Sequence, residues 1–213
     1  IPTIGCINLH ASLLPKYRGA APINWAIING ERETGVSVFF LETRVDTGRI
    51  IRQARVSIGN DETYGDVYDR LSDVGSQEVV TALDMIADGQ MDGMRQDDRL
   101  ATRAPKLVKE DARIDWSKDA ELTRNLVRGT TPTPGAWTTF RDTRVGILSM
   151  RVAPFDEIGV APAVPGVVVS SDPRNGVAVA TGESALWLTT VQPAGKRAMA
   201  GEEWVRGNSV VAG

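Results

Sequence analysis

The alternation of apolar and polar positions divides the chain into a mixed first half and a strand-rich second half. "IGCIN" (4–8) is a short apolar run that fits a buried strand of an α/β sheet. "APINWAIIN" (21–29) has Pro22 in a first turn and Gly30 just past its end, which predicts a helix. "GVSVFFLE" (35–42) is rich in β-branched and aromatic residues, and "RIIRQARVSI" (49–58) alternates in part. The two read as strands of a hairpin around "TRVDTG". Residues 63–89 read as two helical stretches divided near Gly75, with Thr63 capping the start and Gly89 closing the second.

Periodicity fades over 90–113, a polar, charged stretch containing Pro105, which reads as an interdomain linker. "DAELTRNLVRG" (119–129) predicts one further helix. After "TTPTPGAW" come "AWTTF", "RVGILSMRV", "PGVVVSS", "GVAVAT" and "ALWLTTV", separated by Gly, Pro, Asn and Asp. Short strands with turn signals between them predict a small β-barrel. The division is therefore 1–90, a linker at 91–117, and 118–213.

Composition adds modest limits. With 42% hydrophobic and 24% charged residues the chain reads as an ordinary globular protein. No apolar run is long enough to span a bilayer. One cysteine, Cys6, cannot make an internal disulfide; its apolar stretch predicts a buried thiol in a reducing cytoplasm. The first residue is Ile and no signal-peptide pattern precedes the first motif, so a segment is expected upstream. The net charge of −3 is uneven: residues 99–151 hold 11 basic and 6 acidic side chains, or +5. A basic middle fits a polyanionic partner or a solvated face.

The single histidine lies in "INLHASLLPKYRGAAP" (7–22), two residues after an asparagine. On a strand this spacing sends Asn8 and His10 to the same face, and a strand end borders the usual ligand crevice of an α/β sheet. An Asn amide can hold a developing oxyanion, and an imidazole can move a proton near neutral pH. The pair suits attack of a nucleophile on a carbonyl. Asp46, in "RVDTG", is the candidate carboxylate to set the histidine's protonation. Spacing alone leaves the bland readings open, a structural histidine and a turn aspartate. No Gly-x-Ser-x-Gly, P-loop or dinucleotide fingerprint is present. One His and one Cys make no zinc site of the usual kind. General acid–base and electrostatic catalysis remain.

The stretch "NLHASLLPKYRGAAPINWAIINGERETGVSVFFLETRVDTGRII" resembles the catalytic signature of folate-dependent formyltransferases, most closely the branch acting on methionyl initiator tRNA. "KLVKEDARIDWSKDAELTRNLVRG", "PTPGAW" and "LTTVQPAGKRAM" resemble that family's linker and C-terminal domain. The resemblance implies an α/β fold: the second half of a Rossmann-like formyltransferase domain, a linker, and a small OB-like β-barrel that binds tRNA. It implies Asn8, His10 and Asp46 as catalytic residues, and Ser12, Leu13, Leu14 and Pro15 as contacts to 10-formyltetrahydrofolate. The implied reaction is formyl transfer from that donor to the α-amine of methionyl initiator tRNA in translation initiation, without a metal. A monomer with no obligate protein partner is expected. The family's first half would lie upstream of this motif, so the chain is expected to be inactive alone.

Arg18 and Lys16 follow the histidine and fit either substrate contact or loop support. Lys106, Lys109, Arg113, Arg124 and Arg128 form a candidate phosphate-tracking strip, joined by Lys196 and Arg197 in an exposed turn. Trp116, Trp137, Trp187 and Trp204 could stack on bases, but their apolar settings favour packing. The rival readings are a formyltransferase acting on sugar nucleotides or another acceptor, and an inactive RNA-binding fragment.

Overall fold

The computed structural model describes residues 2, 4–90, 92–208 and 210. The chain forms two compact units, Ile1–Leu107 and Val108–Gly213. Among the described residues, no helix is long and apolar enough to cross a membrane.

In the first unit, β1 (Ile7–His10), β3 (Glu33–Phe40) and β4 (Ile50–Ser57) make a sheet in the order β1-β3-β4. Both pairings are antiparallel, with His10 opposite Ser37. A parallel pair joins the two-residue strands β2 (Arg18–Gly19) and β5 (Arg103–Ala104). Because side chains alternate along β3, Val36 faces a core of Ile23, Ile27, Val56, Val67 and Leu71. Phe39 faces the other way and packs with Leu14 and Ile50.

The helix α1 (Pro22–Ile28) starts with its proline in the first turn and is followed by Gly30 in the left-handed region. The two expected stretches over 63–89 are one helix, α2 (Tyr64–Ala87). Thr63 and Asp66 close a capping box at its start. Gly75 does not break it; the residue is buried, and a Cβ there would lie 2.7 Å from Leu9 Cδ2. Close helix-to-strand packing, not a turn, explains this residue.

Where a buried strand was expected at 4–8, the strand begins at Ile7 and pairs with β3 alone among the described residues, and in this chain Ile4, Cys6 and Asn8 are exposed.

The stretch 91–117, expected to be a linker, is instead shared between the units. Met94 bridges to Ile50, Ala104 is buried in the first unit, and Ile114 is buried in the core of the second. Met94 exchanges two backbone hydrogen bonds with Ile50, and Ile114 N–H donates to the Trp137 carbonyl, pairings that a free linker would lack.

The second unit holds α3 (Ala120–Thr130), β6 (Ala136–Phe140), β7 (Thr143–Ala153), β8 (Val168–Asp172), β9 (Gly176–Ala180), β10 (Ala185–Pro193), β11 (Met199–Ala200) and α4 (Gly201–Gly207). The sheet order is β6-β7-β10-β9-β8, with β11 on β10. All five expected strands form, but the closed barrel does not: among the described residues no pairing joins β6 to β8. The outer edge of β6 is taken by 112–114, where Trp137 N–H donates to the Ala112 carbonyl and Ile114 N–H to the Trp137 carbonyl. The core gathers Val127, Ile147, Val177, Leu186, Val191 and Trp204. Helix α4 had no expected counterpart; its Trp204 meets Phe140 edge-on at 5.4 Å.

Candidate active site

β1 presents Asn8 exposed and His10 buried on one face. His10 Nε2 lies 2.8 Å from the Tyr17 carbonyl oxygen. A carbonyl can only accept, so Nε2 carries the hydrogen and Nδ1 is the atom left to take a proton. Nδ1 faces Asp46 Oδ2 at 3.7 Å, beyond hydrogen-bond range. Asp46 thus faces the ring without a hydrogen bond, while the Tyr17 carbonyl orients it.

Tyr17 itself is fixed on all sides. It adopts φ +60, its N–H donates to Thr102 Oγ1 at 2.8 Å, and its hydroxyl donates to Glu31 at 2.8 Å. Burial pushes its phenol up to about 12; the Asn29 hydrogen bond opposes this and the Glu31 carboxylate adds to it.

Asp46 sits in the left-handed region at φ +53, a conformation aspartate tolerates better than most residues. Its Oδ2 accepts from the Gly19 N–H at 2.8 Å. Gln96 closes the loop from outside, its Nε2 donating to the Asp46 carbonyl at 2.9 Å and the Gly48 carbonyl at 2.8 Å. Gly48 is required by close approach, since a Cβ there would stand 1.6 Å from the Phe40 carbonyl oxygen. Thr47 Oγ1 donates to the Arg44 carbonyl and tightens the same turn.

The segment Ser12–Pro15 is pinned to the sheet by Ser37. The Ser37 hydroxyl donates to the Ser12 carbonyl at 2.6 Å and accepts from Leu14 N–H and Gln53 Nε2. Ser12 is fully buried and its hydroxyl donates to the Lys16 carbonyl. Leu13, Leu14 and Pro15 line a cavity of about 320 Å³ together with Gln53 and Arg55. Ser12 therefore shapes the loop, whereas its three successors face the cavity.

The candidate cations separate into groups. Arg128 is buried, with Nε donating to Asn125 Oδ1, so it is not a surface cation. Arg18 is committed to Gln96 and Asp98. Arg124 pairs with Glu121, Arg197 with Glu203, and Lys16 with Glu31. Lys106 is exposed near the end of the first unit. Lys109 and Lys196 come together in the second unit, lining a cavity of about 290 Å³ with Arg144. Beside it, Trp137 lies under Arg144 at 4.3 Å and Arg113 at 5.5 Å from the ring centre. Trp187 and Trp204 are buried, and Trp116 donates to Thr138, as packing predicts.

Four participants were not anticipated. Tyr17 acts through a backbone carbonyl, which no side-chain pattern marks. Gln96 lies in aperiodic polar sequence and Ser37 inside a strand. Arg144 had one cue, its place in the basic stretch 99–151.

Comparison with known proteins adds to this geometry. Residues 1–83 match the formyl transferase domain, and residues 106–209 match the formyl transferase C-terminal domain. The chain is 40% identical over 207 residues to a methionyl-tRNA formyltransferase of Carboxydothermus hydrogenoformans, covering 97% of this chain and 66% of that protein. It is 41% identical to the protein of that name from Moorella thermoacetica, covering 100% of this chain and 67% of the relative. The chain thus spans about two thirds of the length of these relatives. WlaRD, a sugar 3N-formyl transferase solved in the presence of dTDP and 5-N-formyl-THF, shares the fold with a TM-score of 0.66 at 19% identity. That likeness covers 90% of this chain and 66% of the other. With both domains matched in order and 41% identity along its whole length to the Moorella protein, the chain belongs to the formyltransferase family.

Proposed function

We propose that the protein transfers a formyl group from 10-formyltetrahydrofolate to the α-amine of methionyl initiator tRNA, in the cytoplasm, at the start of translation. The observation that carries the choice of acceptor is 40–41% identity along the chain to proteins named methionyl-tRNA formyltransferase. The folate donor, when bound, supplies a formyl carbon open to attack by an amine. Leu13, Leu14 and Pro15 offer such a donor an apolar wall in a cavity that Gln53, Arg55, Glu31 and Glu33 also line.

The chain's own residues then divide the work. Asn8 donates its amide N–H to the oxygen that gains negative charge. His10 takes the amine's proton at Nδ1, the one ring atom not committed to the Tyr17 carbonyl. The Asp46 carboxylate stands 3.7 Å from that atom, facing the side of the ring that takes the proton. Lys109, Arg144 and Lys196 give the second unit a cationic cavity for the RNA backbone.

The test is a transfer assay on the protein as its gene encodes it, with 10-formyltetrahydrofolate and either charged initiator tRNA or an amino-sugar nucleotide. Formyl on the methionyl amine supports the reading. Transfer to the sugar alone overturns the acceptor. Tight RNA binding with no transfer at all favours an RNA-binding role.

A further inference from the structure

Residues 102–104 lie outside both matched stretches, 1–83 and 106–209, yet their backbone runs along β2, the strand that holds Asp46. Arg18 N–H donates to the Thr102 carbonyl at 2.9 Å, and Ala20 N–H donates to the Ala104 carbonyl at 2.8 Å. Between them, the Gly19 N–H donates to Asp46 Oδ2 instead. β2 is thus gripped by 102–104 and itself grips Asp46. Gly19 fits there because it lacks a side chain: a Cβ would stand 2.5 Å from the Ala104 carbonyl oxygen.

Tyr17, just before β2, has a different backbone. At φ +60 it lies in the left-handed region, which a bulky residue keeps only where its surroundings hold it. Two hydrogen bonds hold its peptide groups. The Tyr17 N–H donates to Thr102 Oγ1 at 2.8 Å, and the Tyr17 carbonyl accepts from His10 Nε2 at 2.8 Å. A neutral imidazole has two tautomers. Only the one with its hydrogen on Nε2 can donate to that carbonyl, and only that one leaves Nδ1 open on the side of Asp46.

We infer that Thr102 is a positioning residue for His10. By accepting the Tyr17 N–H, its side-chain oxygen keeps the Tyr17 carbonyl aimed at Nε2, and so keeps Nδ1 free of hydrogen and turned to Asp46. His10 as proton acceptor is the reading proposed above, on which this role of Thr102 rests. Thr102 acts on the ring through a single residue, two hydrogen bonds away. It is exposed, so water can take the place of a lost hydroxyl, but that water is not tied to the chain at 102–104 as the threonine is.

The experiment uses the protein as its gene encodes it, at a pH where the ring is neutral. Heteronuclear NMR of the imidazole nitrogens reads the tautomer, and the His10 signals are those lost in His10→Ala. In the parent, one ring nitrogen should carry the hydrogen and the other none. In Thr102→Val, which keeps the shape and removes the oxygen, the two nitrogen signals should draw together as the tautomers mix. Its kcat should fall about 10-fold with KM within about 2-fold, because the ring and not substrate binding is disturbed. Thr102→Ser keeps the oxygen and should match the parent in both readouts. A threonine that only supported the fold would lower stability and leave the tautomer intact. Far-UV circular dichroism checks folding, and Thr102→Ala repeats the test should the valine variant not fold. An unmixed tautomer or a parental kcat in the variant without the oxygen would overturn the inference, and so would mixed tautomers in Thr102→Ser. Parental turnover in His10→Ala would instead strike the proton-acceptor reading, and the part of Thr102 in the reaction with it.

Discussion

Removing the Gln96 side chain tests how the Asp46 turn is held. Gln96→Ala deletes four hydrogen bonds: two donated to the Asp46 and Gly48 carbonyls, and two accepted from Arg18. At about 1 kcal/mol for each neutral bond and about 1.5 kcal/mol for each bond to the guanidinium, the sum is about 5 kcal/mol. Gln96 is only half-buried, so water replaces part of this, and a net loss of about 2–3 kcal/mol is expected. Urea unfolding followed by tryptophan fluorescence measures it. Gln96→Glu sharpens the test, since it keeps an acceptor for Arg18 but aims oxygens at two carbonyls. It should spare much of the stability while displacing Asp46, lowering kcat more than it changes KM. Stability within about 0.5 kcal/mol of the parent for Gln96→Ala, with kcat unchanged in both variants, would refute the idea that this side chain positions the turn.

In the formyl-transfer assay, His10→Ala and Asn8→Ala should each lower turnover by roughly 10²–10³-fold in a folded protein; parental rates would remove either residue from its role. Asp46→Asn should also be severe, because it takes away the charge facing Nδ1. Tyr17 keeps its proton in the folded state up to about 12, while the unfolded chain releases it near about 10. The folded state binds more protons in that window, so stability present below it falls as pH rises through it. Tyr17→Phe should lose less stability there than the parent; parallel curves from urea melts at several pH values would contradict this. Finally, Lys109→Ala/Lys196→Ala should reduce the salt slope of tRNA binding by about 2, measured by filter binding, and an unchanged slope would leave those lysines as solvated surface.

Local features of the fold were legible in the sequence. Pro22 with Gly30, the alternation in β3 and β4, and the Thr63 cap each act within a few residues, so a short window contains their cause. Asn8, His10 and Asp46 stood out in the sequence as candidates because few residue types can do that work, and the fold brings His10 and Asp46 within 3.7 Å. What was hidden depends on distant partners. Gly75 looks like a helix breaker until Leu9 is seen against it. Arg128 counts as a basic residue in any charge tally, yet folding buries it beside Asn125. The closed barrel was a reasonable inference from five short strands, but composition does not record that 112–114 takes the edge of β6.

The Ser37 hydroxyl carries an implication for how this sequence can change over time. It has one proton and two lone pairs, and the Ser12 carbonyl, the Leu14 N–H and the Gln53 amide use all of them. The residue has no exposed surface, so water cannot stand in for it. Alanine would strand the Ser12 carbonyl and the Leu14 N–H, each at about 1–3 kcal/mol, and would leave Gln53 Nε2 with the Leu14 carbonyl alone. A lineage could therefore lose this serine only if the loop at 12–14 and the glutamine at 53 changed with it. Three stretches far apart in the gene are bound to a common mutational fate by a single oxygen atom.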